Sequence, residues 1–377
     1  MKKSDQFCPN WISAPGDTIA DILHERGISS NEFAEYMGCS IDDVRDLLLG
    51  RSTITISMAR QLSQVLGASL EYWMSRDFHF REDVKRIHGG GQEWLRELPL
   101  GDMISFGWLK PPPHPIEELA ACLQYFNVSD ISEWHSAYRG IQEMAVFRTS
   151  ASYDSRAESV AAWLRQGEIQ ADNIECAPWD PQKFSESLPR LRQLTRQKDP
   201  AKFIPQLQTA CSASGVAVVI VRCPNGCRAS GATHFISSNK AVLQLSFRYL
   251  TDDHFWFTFF HEAGHLLLHS ETSFFPRVLG ESGEWIVEGL ESPESDKEKE
   301  ANQFAAQMLV PQNFEQQLET LPTEIRSIIR FAKRLGISPG IVVGQLQHRE
   351  RIGYNQFNDL KRRYEWKDYE LTIHERG

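Results

Sequence analysis

The sequence predicts a multidomain protein. It should hold an all-α helix-turn-helix domain over residues 1–82, a helical middle region over 83–200, an α+β domain over 201–322 and a helical C-terminal extension over 323–377. Three observations carry this reading. Short amphipathic segments separated by glycine turns fill residues 15–80, the pattern of helices joined at tight angles. Strand-like apolar runs followed by two long apolar helices fill residues 215–310, the pattern of a compact α+β unit. The chain has 377 residues, more than one core of about 150 residues holds.

The N-terminal elements follow in order. Asp17 is expected to cap a helix ending at Arg26-Gly27, and Ser30 to begin a second with Phe33, Ala34 and Met37 facing inward. Gly38-Cys39-Ser40 makes the turn, with Ser40 capping a third helix whose inner face is Val44, Leu47 and Leu48. A loop over residues 50–53 leads to a fourth helix, stopped by Gly67. In the middle region Gly89-Gly90-Gly91 and Pro111-Pro112-Pro113 mark breaks, and residues 117–126 and 155–166 have helical apolar spacing. Its tryptophans read as core.

Beyond residue 201 a helix over 203–213 precedes strands over 215–221, 231–236 and 241–246. Helices over 255–269 and 296–310 follow, the second ended by Pro311. The tail from Glu324 reads as helical, with a stop at Gly336 and a new start at Pro339. Cys223-Pro224-Asn225-Gly226-Cys227 reads as a turn between two strands rather than a metal knuckle, because no second cysteine pair accompanies it. The seven cysteines are scattered and odd in number, as expected of reduced thiols in a cytoplasmic protein.

Composition narrows the partners. Hydrophobic residues make up 41% and charged residues 24%, which excludes collagen-like, disordered and coiled-coil classes for the bulk of the chain. No apolar window is long enough for a membrane span, and the N-terminus lacks the apolar run of a secretory signal. The formal net charge is −10, so any nucleic-acid contact must come from a local patch.

His261-Glu262-Ala263-Gly264-His265 carries the chemistry. Helical positions i and i+4 share a face, so both imidazoles can bind one ion, and Glu262 is placed to act as general base on an attacking water. A catalytic zinc site takes three protein ligands. The third is expected from the helix over 296–310, where Phe304, Ala305, Met308 and Leu309 mark the buried side. Glu298 lies on that face, whereas Glu300 is turned about 200° from it. Glu298 is therefore the expected ligand, and Asn302, one turn later on the same face, is expected to orient a ligand histidine through a hydrogen bond. His269 lies two turns from His261, and core or helix-end packing is its expected role. His234 and Tyr249 are weighed as oxyanion stabilisers against ordinary strand or loop roles. Residues 281–300 carry eight acids against two lysines, read as a solvated loop near the cleft.

Residues 201–345 resemble the ImmA/IrrE family of zinc-dependent endopeptidases. The likeness is carried by Phe255-Trp256-Phe257-Thr258-Phe259-Phe260-His261-Glu262-Ala263-Gly264-His265-Leu266-Leu267-Leu268-His269 and by Glu298-Lys299-Glu300-Ala301-Asn302-Gln303-Phe304-Ala305-Ala306-Gln307-Met308-Leu309-Val310-Pro311. It implies a zincin-like fold, His261, His265 and Glu298 as Zn²⁺ ligands and Glu262 as catalytic base; Mn²⁺ is the alternative ion, since an N,N,O site accepts several. The N-terminal part is similar to the lambda-repressor-like (XRE) domain of HigA-type antitoxins, on Pro15-Gly16-Asp17, Phe33-Ala34, Leu48-Leu49-Gly50-Arg51, Ile54-Thr55 and Leu66-Gly67-Ala68-Ser69-Leu70-Glu71-Tyr72-Trp73.

Together these resemblances imply a regulatory protease that cleaves a partner protein, such as a transcription repressor or a toxin–antitoxin partner. The alternative is an antitoxin-like DNA-binding regulator whose zincin domain is regulatory or inactive. Ser40, Arg45, Arg51 and Thr53 are the candidate DNA contacts. Residues 15–82 hold 6 Arg and no Lys against 11 acids, a net of −5, and Asp42, Asp43 and Asp46 occupy the reading helix. That charge weakens phosphate binding and leaves protein docking or homodimerisation as the rival role. A substrate peptide is expected to lie along the strand at residues 241–246, adding to an exposed edge.

Overall fold

The computed structural model describes residues 14–50, 52–88, 91–111, 115–139, 155–269, 286–287, 296–367 and 370–374. The chain divides into two compact units, Met1–Arg96 with Pro111–Gln124, and Glu97–Lys110 with Tyr125–Gly377.

In the first unit α1 (Pro15–Arg26), α2 (Ser30–Met37), α3 (Ile41–Leu48) and α4 (Ile56–Leu66) are joined by tight turns, and α5 (Leu70–His88) extends the expected set. Ser29, Ser40 and Thr55 cap α2, α3 and α4 through their hydroxyls, each satisfying an orphan amide. Asp17 does not cap α1 from outside. It sits at the third helical position and accepts the Ala14 N–H at 2.9 Å, because Pro15 at the first position makes Ala14 the cap. Gly27 and Gly38 end α1 and α2 with φ of 65° and 61°, left-handed values that only glycine adopts cheaply. Ile19, Phe33, Met37, Val44, Leu47 and Leu62 close a core around Trp73 from α5.

Four short helices follow: α6 (Gly91–Glu97), α7 (Leu100–Ser105), α8 (Pro115–Phe126) and α9 (Ile131–Ala137). The second unit then runs through α10 (Ala157–Asp172), α11 (Pro181–Leu191) and α12 (Pro200–Ser212) to β1 (Val216–Ile220), β2 (Gly231–Ser237) and β3 (Lys240–Leu245). Next come α13 (Asp252–Leu268), β4 (Ile286–Val287), α14 (Asp296–Leu309), α15 (Glu315–Glu319), α16 (Ile325–Leu335) and α17 (Pro339–His348). A hairpin of β5 (Tyr364–Lys367) and β6 (Glu370–Ile373) ends the described chain. The tail is thus α-helical only as far as His348, with one 3₁₀ turn at Asn358–Leu360 before the hairpin.

The sheet order is β1-β3-β2-β4, with β1 parallel to β3 and the other pairs antiparallel. This overturns the expected substrate strand: β3 is central, and Ala241–Leu245 are paired to β1 and to β2, so they present no free edge. Part of the acidic stretch over 281–300 is also structured, since Ile286 and Val287 pair with β2 and residues from Asp296 begin α14. Its remaining residues lie outside the described ones.

Alternation sorts the strand side chains between two faces. Val216, Val218, Phe235, Leu243 and Leu245 join the core with Trp256, Phe259 and Phe260 of α13. On the other face the Gln244 amide donates to the Trp163 carbonyl of α10 at 2.7 Å, and the Trp163 indole donates to the Val221 carbonyl at 2.9 Å.

The start of α13 is anchored by polar contacts. Asp252 is fully buried, accepting from Ser338 Oγ and from the Arg362 N–H at 3.0 Å, and Asp253 pairs with Lys361 at 2.6 Å. Burial pushes the Asp252 carboxyl up to about 6, helped by Asp253 and opposed by Ser338 and Arg362. A raised carboxyl favours the fold only while protonated, so its contribution is complete below pH about 4 and is lost as pH rises through about 6. Urea unfolding should therefore show wild type losing ground to Asp252→Asn between pH 4 and 6.5, with a constant difference above that.

Candidate metal centre

Helix α13 is apolar around most of its surface, and it buries His261 (1% exposed), Glu262 (0%) and His265 (0%). Small residues let α14 come close to it. A Cβ on Gly264 would stand 3.1 Å from the Phe304 ring, and Ala301 and Ala305 are fully buried. That approach brings the buried Glu298 carboxylate to the two rings.

His261 Nε2 and His265 Nε2 are 2.9 Å apart. Glu298 Oε2 lies 3.4 Å from the first, and Oε1 lies 3.2 Å from the second. Three donors each about 2.0–2.1 Å from one ion in tetrahedral geometry would be separated by about 3.3 Å. The observed separations, 2.9 Å between the ring nitrogens and 3.2 and 3.4 Å to the two carboxylate oxygens, are near that spacing, so this buried group can bind a metal ion.

The electrostatics suit a cation. Burial pushes His265 below the ordinary imidazole range and favours the neutral ring, whose lone pair a metal requires. Burial alone would raise the Glu298 carboxyl, but hydrogen bonding with His261 and His265 outweighs it and holds the group at about 2. It is an anion throughout the neutral range.

Around these groups, Asn302 Oδ1 lies 3.0 Å from His261 Nδ1. His269, expected to serve only packing, has Nδ1 at 3.1 Å from His265 Nδ1 and Nε2 at 2.9 Å from Glu300 Oε2. The signal for this contact was the i+4 spacing of His265 and His269. Glu262 faces the first residue of β2, where a Cβ on Gly231 would fall 2.5 Å from its Oε1. Any side chain at 231 would displace the carboxylate. Ser230 and Thr258, beside that contact, help line a small, partly open depression with Tyr249 and His254.

Of the other predicted residues, Tyr249 lines the depression just described and the rest lie elsewhere. His234 belongs to the opposite sheet face, 3.8 Å from Glu168 of α10, so it is not an oxyanion group. Tyr249 is 47% exposed, stacked on His254 at 4.2 Å with Arg248 over its ring. Among the candidate DNA contacts, the Ser40 hydroxyl is engaged with Asp43 in the capping box, and Arg45 pairs with Asp42 at 3.2 Å. Thr53 is exposed, and Arg51 lies outside the described residues.

Comparison with known proteins agrees with the geometry. Residues 213–347 match the peptidase M78 family model, the IrrE N-terminal-like domain. The matched range covers most of the α+β region. All three candidate metal ligands fall inside the matched range. Separately, 61 residues, 16% of the chain, are 38% identical to the uncharacterized HTH-type transcriptional regulator YddM of Escherichia coli (strain K12). The match spans 65% of the length of that relative. No helix among the described residues is long and apolar enough to cross a membrane.

A ligand that binds only the folded chain stabilises it by mass action, by about 2.7 kcal/mol at one hundred times its Kd. Zn²⁺ added to chelator-stripped protein should raise Tm in a thermal scan, and His265→Ala or Glu298→Ala should remove the rise.

Proposed function

We propose that this chain is a regulatory zinc-dependent endopeptidase that cleaves a partner protein, such as a transcription repressor. The observation that carries the reading is the convergence of His261, His265 and Glu298 on one point, with the Glu262 carboxylate on the same buried helix. The M78 match over this region supports the same class.

The donor set of two neutral imidazoles and one carboxylate fits Zn²⁺, with Mn²⁺ also compatible. A bound ion supplies Lewis acidity toward a peptide carbonyl and toward water. Glu262 accepts the proton of the attacking water and passes it to the departing amine. Gly231 leaves room for that carboxylate at the head of β2, and Asn302 orients the His261 ring.

A second reading has one observation behind it, the similarity to an HTH-type regulator together with the capped α1–α4 array. In that reading the N-terminal domain binds DNA and the metal domain is regulatory. The net of −5 over residues 15–82 opposes phosphate binding and favours protein docking by this domain. Operator binding that survives metal removal, without proteolysis of any co-encoded protein, would select the second reading.

The direct test is Glu262→Gln. The variant should bind Zn²⁺ as wild type does and lose at least about 10²–10⁴-fold in cleavage of the partner, followed by mass spectrometry of the products. Unchanged cleavage would refute the assignment of Glu262 as base.

A further inference from the structure

His269 closes α13 and is 8% exposed, and its ring is fixed from both sides. Its backbone N–H still donates to the His265 carbonyl at 3.0 Å, so helix geometry sets the two rings one turn apart. Glu300 arrives from α14, two residues beyond Glu298, with its side chain 61% exposed. It reaches His269 from the solvent side, although it is turned away from the ligand face.

The proton positions follow from metal binding. An ion held at Nε2 of both ligand histidines leaves their protons on Nδ1. His265 Nδ1–H then points at His269 Nδ1, 3.1 Å away, which must offer its lone pair. His269 therefore carries its own proton on Nε2, which donates to Glu300 Oε2 at 2.9 Å. The two ligands are treated unequally, since His261 Nδ1 meets a neutral amide oxygen and His265 meets an imidazole backed by a carboxylate.

We propose that His269 and Glu300 are positioning residues of the metal centre, a two-step relay that fixes the tautomer and orientation of His265 and conveys a carboxylate's negative charge to it. This rests on the metal-binding reading above. A donor so backed is a stronger metal ligand, and loss of an outer partner of this kind weakens binding about 10–100-fold.

The test measures Zn²⁺ affinity of the full chain by competition with a chromophoric chelator, beside the Tm of the metal-free protein and ¹⁵N NMR of the imidazoles. His269→Phe should weaken Zn²⁺ binding about 10–100-fold and release His265 into a tautomer mixture. Glu300→Gln, an exposed and conservative change, should weaken it by about tenfold with no change in metal-free Tm. His269→Glu should restore affinity, because its carboxylate can accept directly from His265 Nδ1–H. Affinities equal to wild type in both His269→Phe and Glu300→Gln overturn the relay, as does a loss that tracks metal-free Tm with the His265 tautomer unchanged. If wild type binds Zn²⁺ no better than His261→Ala, the metal reading itself fails and the relay falls with it.

Discussion

The close approach of α13 and α14 is the constraint on which the rest of the site depends. Gly264, Ala301 and Ala305 leave no bulk between the helices, and Phe304 fills the space a larger residue at 264 would claim. Only at that separation does a carboxylate from one helix reach two imidazoles on the other. A carboxylate buried beside neutral rings would otherwise be a costly arrangement. Its hydrogen bonding with both rings offsets that cost.

The surrounding fold serves this contact. The sheet buries one face of α13 through Phe235, Leu243 and Leu245, while the Asp252–Ser338–Arg362 contacts hold its first turn to α17 and the tail. Helix α13 is therefore fixed at its start, along one face and along its contact with α14. A helix so constrained can hold ligands to the fractions of an ångström that coordination requires.

What the sequence revealed depended on how local the signal was. His261 and His265 follow from spacing within one helix, and Glu298 from the phase of a second helix relative to its apolar face. The contact of His269 with Glu300 was not legible, because it depends on how far each helix runs past the other, and because Glu300 points off its own inward face. The central position of β3 was hidden for a similar reason: strand order is set by long-range pairing, and the two-residue β4 has no periodicity to detect. The β5–β6 hairpin did carry a period-two pattern in Tyr364, Trp366, Leu371 and Ile373, but it was too short to stand against the helical run before it. Asp17 misled because Ala14, a residue with no capping side chain, takes the cap position.

The proposed centre places two imidazoles and one carboxylate on a single ion. X-ray absorption at the zinc edge on protein loaded with one equivalent of Zn²⁺ reads this most directly. Loaded protein should show a shell of nitrogen and oxygen donors at about 2.0–2.1 Å, with the outer scattering of two imidazole rings. A sulfur shell near about 2.3 Å, pointing to cysteines such as Cys223 and Cys227, or a spectrum without imidazole scattering, would contradict it.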